Sequence, residues 1–205
     1  MTTYFFPSCK VQQQFPQSSR HLQEYLTTRW QISITGCCRQ NHNRLLPEDS
    51  ALFICNTCAH ILAESSAARQ IKSVWELIDQ DADFDFPNYR GEIMSIQDCW
   101  LANDRPEMQQ AVRSLLHKMH IKALEMPNNL TQTGFCGTNI SAGTAMLAPG
   151  FSQKAGQMSA EERAKHLRQS KTEKVICYCR PCLAEINAAG LQGQHLLPLL
   201  FNAHA

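Results

Sequence analysis

The sequence predicts an α/β fold of two similar half-units from an internal duplication, with metal-binding cysteines on loops at strand ends. Three observations carry that expectation. Short apolar runs of strand length alternate with amphipathic stretches of helix length. The series strand, helix, strand, cysteine loop, Cys-x-x-C occurs twice in the 205 residues, and an ordered series that recurs is more informative than any single motif. Each copy also puts its cysteines just beyond strand ends, where open α/β sheets build their sites.

In chain order, Tyr4-Phe5-Phe6 reads as a buried strand that Pro7 ends, delivering Cys9 to a loop. Ser18-Ser19 offers an N-cap for a helix over Arg20 to Thr28, with Leu22, Tyr25 and Leu26 on one face. Gln31 to Thr35 alternates polar and apolar and reads as a strand ending at Gly36, so Cys37-Cys38 sits where that strand stops. Pro47 to Ser50 is a turn and Ala51 to Ile54 a buried strand, followed by Cys55-Asn56-Thr57-Cys58 and a helix over Ala59 to Glu64. Val74 to Ile78 is helical. Asp81 to Asn88 is polar and contains Pro87, which places a boundary there, with half-units of 1–85 and 86–205.

The second half follows the same plan. Glu92 to Ile96 is a strand delivering Cys99 to a loop, and Pro106 suits the first turn of a helix to His117. Ile121 to Met126 is the next strand, and Thr133-Gly134-Phe135-Cys136-Gly137 aligns with Thr35-Gly36-Cys37-Cys38-Arg39. Ser159-Ala160-Glu161-Glu162 is a capping-box pattern opening a helix to Gln169. Glu173 to Ile176 is a strand, and Cys179-Arg180-Pro181-Cys182 aligns with the first Cys-x-x-C. A helix from Leu183 to Ala189 then closes at Gly190.

Composition narrows the function classes. A formal net charge of +1, with basic residues scattered, gives no stripe for nucleic acid. No apolar run is long enough for a membrane span, and the N-terminus has no signal-peptide pattern, so a cytoplasmic protein is expected. In a reducing compartment, ten cysteines point to metal or redox chemistry rather than a disulfide framework.

The order Cys, Cys-Cys, Cys-x-x-C, given twice, resembles the cysteine-rich CCG domain. That domain occurs in the B subunit of heterodisulfide reductase and in iron–sulfur subunits of glycolate and lactate oxidation systems. Phe6-Pro7-Ser8-Cys9 looks like the family's opening, and Gln97-Asp98-Cys99 like the opening of its second copy. The resemblance implies that Cys9, Cys37, Cys38, Cys55 and Cys58 form a complete five-thiolate set for a 4Fe–4S cluster, noncubane in the best-understood members. It further implies a subunit of a heterodisulfide reductase-like or 2-hydroxy acid oxidising complex, working with ferredoxin-like or flavin-containing partners. The chain itself carries neither a ferredoxin cysteine run nor a dinucleotide fingerprint.

Departures from the family pattern make the halves unequal. Arg39 stands where the family has Gly, and Phe135 where the second copy should have the first of two cysteines. Cys99, Cys136, Cys179 and Cys182 therefore make four thiolates, which suit a cubane 4Fe–4S cluster, a structural zinc ion or no metal at all. Cys177 could fill in for the missing ligand, although strand alternation turns its thiol away from the Cys179 loop. Helices opening at Cys58 and Cys182 would favour thiolates at their N-termini. Arg39 either points inward, raising a cluster's potential, or is solvated at a loop end. His42 and His60 read as surface or capping residues, the tryptophans as core or interface anchors, and Asp98 as a loop-forming hydrogen bonder. Gly137 to Gly143 lacks the Lys-Ser/Thr of a P-loop and reads as a loop covering a cluster. Two alternatives stay open: a zinc-bound scaffold without a redox role, and a metal-free thiol oxidoreductase using Cys55 and Cys58.

Overall fold

The computed structural model describes residues 1–134 and 160–201. In the first half the elements are β1 (Thr3–Phe6), α1 (Cys9–Gln14), α2 (Pro16–Trp30), β2 (Ser33–Ile34), α3 (Cys38–Asn41), β3 (Ser50–Phe53), α4 (Asn56–Ser65), β4 (Gln70–Ser73) and α5 (Val74–Gln80). In the second they are β5 (Ile93–Ile96), α6 (Pro106–Lys118), β6 (Lys122–Glu125), α7 (Ala160–Leu167), β7 (Lys174–Cys177), α8 (Arg180–Ala188), β8 (Gln192–His195) and α9 (Leu196–Phe201). The described strands form two four-stranded, all-parallel sheets with matching orders, β2-β1-β3-β4 and β6-β5-β7-β8. The fold class is therefore α/β with two similar half-units.

The repeat reaches backbone detail. Phe15 before Pro16 has φ −129°, ψ 64°, and Arg105 before Pro106 has φ −130°, ψ 61°. In both places proline occupies the first turn, where its missing N–H costs nothing. Pro16 also corrects the expected helix start. The helix begins four residues before Arg20, so Ser18 and Ser19 are buried inside its first turn instead of capping it.

Other differences have local causes. Cys9 opens a helix rather than sitting in a loop, with Ser8 held in the left-handed region at φ 58°. The strand expected over Gln31 to Thr35 shrinks to Ser33–Ile34. Gln31 takes a left-handed C-cap (φ 52°, ψ 33°), and Ile32 N–H bonds back to Leu26 O at 3.2 Å. Strands β4 and β8 escape hydrophobic patterning because Gln-Ile-Lys-Ser and Gln-Gly-Gln-His are polar edge sequences. Ser73 then starts α5 with a capping box closed by Glu76. Gly193 lets β8 run close over α8, where a Cβ would stand 2.4 Å from Leu183 Cδ1 and oblige that side chain to move. The second-half calls on Phe135, Cys136, Gly137 and Ser159 lie outside the described residues.

One continuous apolar core runs through both halves. Helix α5 packs on α6, and α9 packs on α2. Residues 81–92 thread between them, with Phe84 against Tyr25 at 5.2 Å and against Phe201 at 5.6 Å between ring centroids. Tyr25 donates to Asp81 at 2.7 Å, and Arg29 pairs with the same carboxylate at 3.0 Å. Trp75 is fully buried, Trp100 is half-buried and Trp30 is exposed. No described helix is long and apolar enough to cross a membrane.

His195 ends β8 inside this core, with its ring 5.1 Å from that of Phe15. Its Nδ1 accepts from Leu197 N–H at 3.2 Å, while Nε2 has no hydrogen-bond partner among the described residues. Complete burial pushes its pKa down to about 3 from the ordinary 6.5. The unfolded chain therefore binds a proton that the folded chain refuses between those values. Stability from this group is full above pH 6.5 and falls as pH drops towards 3, by at most about 1.4 kcal/mol per pH unit. Urea unfolding of a His195→Leu variant should show a shallower acid slope than wild type between pH 6.5 and 5; equal slopes would contradict this.

Candidate metal centre

Parallel strands end at the same edge of each sheet, and the cysteines gather there. Cys55 and Cys179 occupy the same position in the two halves. Each is an extended N-cap residue, φ −114°, ψ 126° and φ −137°, ψ 126°, opening α4 and α8 respectively. The helices thus begin one residue after the first cysteine of each Cys-x-x-C, two residues earlier than Cys58 in the first half. Cys58 and Cys182 lie within the first turns and are buried. None of the nine described cysteines is in a disulfide.

In the second half, Cys99, Cys179 and Cys182 bring their sulfurs within 4.8 Å of one another, all buried. Tetrahedral ligands about 2.3 Å from a metal stand about 3.8 Å apart, so this triad can hold a metal ion. A four-iron cluster, whose ligands hang from separate irons, spreads its sulfurs more widely. Cys136, the fourth member of the expected set, lies outside the described residues. Cys177, at the end of β7, is buried but does not join the triad.

A buried polar hub fixes two of these three thiols. The Asp98 carboxylate accepts from Arg113 at 2.6 and 3.1 Å, from Tyr178 Oη at 2.7 Å and from Leu130 N–H at 2.8 Å. Tyr178 Oη in turn accepts the Cys99 N–H at 3.3 Å. Asp98 precedes Cys99 and Tyr178 precedes Cys179, so one hydrogen bond sets the spacing of two ligands. Asp98 is the loop-forming hydrogen bonder read from the sequence. Burial works against charge on Arg113, but bonds to Asp98 and Glu125 outweigh it and raise its pKa. The triad itself favours charge at Cys99. Hydrogen bonds from Cys179 and Cys182, then from Asn56, draw its pKa well down. Cys179 is pushed well up; the bond from Cys182 favours its thiolate, but its bond to Cys99 and its burial prevail.

The first-half thiols are arranged differently. Cys38 Sγ lies 3.3 Å from Cys58 Sγ, Cys55 neighbours Cys58, and Cys9 neighbours Cys37. The thiols thus fall into two groups, Cys38, Cys58 and Cys55 in one and Cys9 and Cys37 in the other, not a compact triad. Cys9 is exposed and Cys37 half-buried, whereas Cys38, Cys55 and Cys58 are buried. Cys55 is drawn down to about 6 by Cys58, by the Cys58 and Thr57 N–H groups at the start of α4, and by Ser8. Cys38 is also lowered, by Cys58 first and with help from Arg39; Cys58 is raised by its bonds to Cys38 and Cys55. Burial is the main cause raising Cys9. Arg39 is exposed, so its charge reaches Cys38 from the solvent side. His42 Nδ1 contacts Cys38 O at 3.0 Å, and His60 pairs with Glu64 at 3.2 Å.

The hub was not anticipated beyond Asp98. Nothing in the local sequence marks Arg113 or Tyr178, because their convergence depends on the sheet order. Comparison of the chain with family models, curated proteins and solved structures found no match.

Proposed function

We propose that this chain is an iron–sulfur subunit of a redox complex, binding a 4Fe–4S cluster through Cys9, Cys37, Cys38, Cys55 and Cys58 for electron transfer or disulfide reduction. The observation that supports the reading is the gathering of five first-half thiols near one sheet edge, Cys38, Cys55 and Cys58 buried at the start of α4 and Cys9 and Cys37 nearer the surface. Five thiols suit a cluster with several irons better than a single ion. An iron–sulfur cluster supplies one-electron chemistry at a potential set by charge and by hydrogen bonds to its sulfurs. The protein's part is to present thiolates. The first N–H groups of α4 and the Ser8 hydroxyl favour the anion at Cys55, and Arg39 adds positive charge beside Cys38. Exposure of Cys9 and Cys37 leaves an edge open to a partner or a disulfide substrate. With no flavin or dinucleotide fingerprint legible, electrons come from a ferredoxin-like or flavin-containing partner. The resemblance to the CCG domain points to heterodisulfide reductase-like or 2-hydroxy acid oxidising complexes.

A second reading, a zinc scaffold, is favoured by one observation: the close spacing of the Cys99, Cys179 and Cys182 sulfurs. The two readings are compatible if each half holds its own metal. A metal-free thiol oxidoreductase fits less well. Cys55 has the lowered pKa such chemistry needs, but both Cys55 and Cys58 are buried and no attacking sulfur of that pair faces solvent.

Anaerobic reconstitution with iron and sulfide should give visible and paramagnetic-resonance cluster signals that Cys37→Ser and Cys38→Ser each abolish. No signal in wild type, or an undiminished one in either variant, would sink the iron–sulfur reading. Zinc without acid-labile sulfide in freshly purified protein would favour the scaffold.

A further inference from the structure

The two halves differ in what lies between the end of their long proline-opened helix and their last helix. In the second half the chain itself bridges that space. Tyr89, in the segment ahead of β5, donates its N–H to Met119 O at 2.8 Å, at the end of α6. Its hydroxyl donates to Leu199 O at 2.9 Å, in α9. The side chain between these two bonds is half-buried against the core.

The first half has the same two anchor points with a cleft beside both. Gln31 and His120 take the left-handed conformation, φ 52° and 54°, just past the ends of α2 and α6, so the residues before them, Trp30 and Met119, correspond. Ser73 and His195 precede α5 and α9, and each accepts the N–H two residues on at 3.2 Å, so Leu77 corresponds to Leu199. Trp30 and Leu77 both line an open cleft of about 240 Å³, together with Met1, Lys72 and Gln80. The acceptors recur as well. Trp30 and Leu77 carry carbonyls among the last four of their helices, which have no partner within a helix. The Asp81 N–H that follows α5 bonds Ile78 O and not Leu77 O.

We propose that this cleft docks an aromatic side chain, tyrosine above all, carried on a non-helical segment of a partner polypeptide, as Tyr89 bridges the corresponding elements of the second half. The segment gives an N–H to Trp30 O at the end of α2, and the phenol reaches Leu77 O. Size and surface both favour this occupant. The cleft is smaller than the roughly 300–1,000 Å³ of sites for drug-sized ligands, and it suits a single side chain. Of the four large apolar residues exposed among the described residues, Met1 and Trp30 both stand here, and tryptophan is a favoured anchor of protein contacts. Thr3, Ser50 and Gln70, at the starts of three parallel strands, also line the cleft, so it opens at the sheet edge opposite the thiols. A partner seated there leaves the cysteines accessible, and its docking is independent of whether either site holds metal.

The probe is a synthetic peptide copying Phe84 to Glu92, with a second peptide carrying Tyr89→Ala, each titrated into the isotope-labelled full chain and followed by its amide and indole resonances. The tyrosine peptide should shift Trp30, Lys72 and Leu77 saturably, and the alanine peptide should bind at least about tenfold more weakly. Trp30→Ala in the protein should weaken the tyrosine peptide to a similar degree, whereas Leu46→Ala, at an exposed apolar residue outside the cleft, should not. The comparison of the two peptides needs no protein variant, so it decides the question if Trp30→Ala does not fold. No shifts at millimolar peptide, shifts at Met119 and Leu199 instead, or equal binding of both peptides would overturn the proposal. Binding of p-cresol as tight as that of the peptide would overturn it in favour of a small-molecule site. Concentration-dependent shifts at Trp30 and Leu77 without peptide would overturn it in favour of an interface between copies of this chain.

Discussion

Replacing Asp98 by alanine is expected to cost about 3–5 kcal/mol of stability and to loosen the second cysteine site. The side chain of Asp98 is wholly buried and that of Arg113 is 20% exposed. Removing the carboxylate leaves Arg113 with the Gln109 carbonyl at 3.1 Å and with Glu125, which is 41% exposed and less able to hold a charge in place. It also strips Tyr178 Oη and Leu130 N–H of their acceptor. Truncating one partner of a buried pair is severe because the remaining group stays buried without compensation. For a chain of this size, each kcal/mol moves the melting temperature by about 2–4 °C, so the drop should be roughly 6–20 °C. Asp98→Asn keeps the shape and one acceptor oxygen and should lose less. Calorimetry of both variants with reductant and chelator separates folding from metal. If alanine cost under about 1 kcal/mol, the hub would be no more than a surface-type pair.

Cys182→Ser should leave the second site unable to keep a metal through gel filtration, while Cys37→Ser should not. Cys182 is 1% exposed and is one of three sulfurs already drawn together. A hydroxyl in its place is a much poorer ligand for zinc or iron, and the buried position offers no water route for a substitute ligand. Because metal binding to such a site is also folding free energy, the wild-type protein should melt lower in chelator, and the Cys182→Ser protein should be indifferent to chelator at this site. Elemental analysis of wild type, Cys182→Ser and Cys37→Ser measures the outcome. If Cys182→Ser retained as much metal as wild type, the triad would not be a metal site.

These two predictions shift weight towards a half that the sequence left in the background. Laying the chain against itself reveals the duplicated plan, because strand-length apolar runs and cysteine spacings survive in both copies. The plan fails where polarity hides a strand, as in Gln192–His195, which is held by parallel pairing to β7 and not by its own side chains. Cysteine spacing likewise marks ligand sets but carries nothing about distances between sulfurs. The five-thiol set looks the stronger of the two on paper because it has more cysteines. The compact, fully buried triad belongs to the other copy, where Tyr178 and Asp98 clamp its loops from 80 residues apart. No local pattern encodes that bond. It follows from β7 lying beside β5 in the sheet.

Helix α5 leans on α6, and α9 leans on α2. Each pair joins the last helix of one half to the long proline-opened helix of the other. The same surface is thus used twice, once in each direction, which is the signature of an isologous contact. A single half could have made that contact with a copy of itself, so the chain has the form of a two-fold homodimer whose subunits became one polypeptide. In a homodimer every substitution appears at both sites together. Fusion removes that constraint. One copy could keep Ser8, Ile54 and Asn56 where the other took Asp98, Tyr178 and Arg180, whereas identical subunits would have had to present the same residue twice. The asymmetry of the two thiol sites is a freedom that covalent linkage made available.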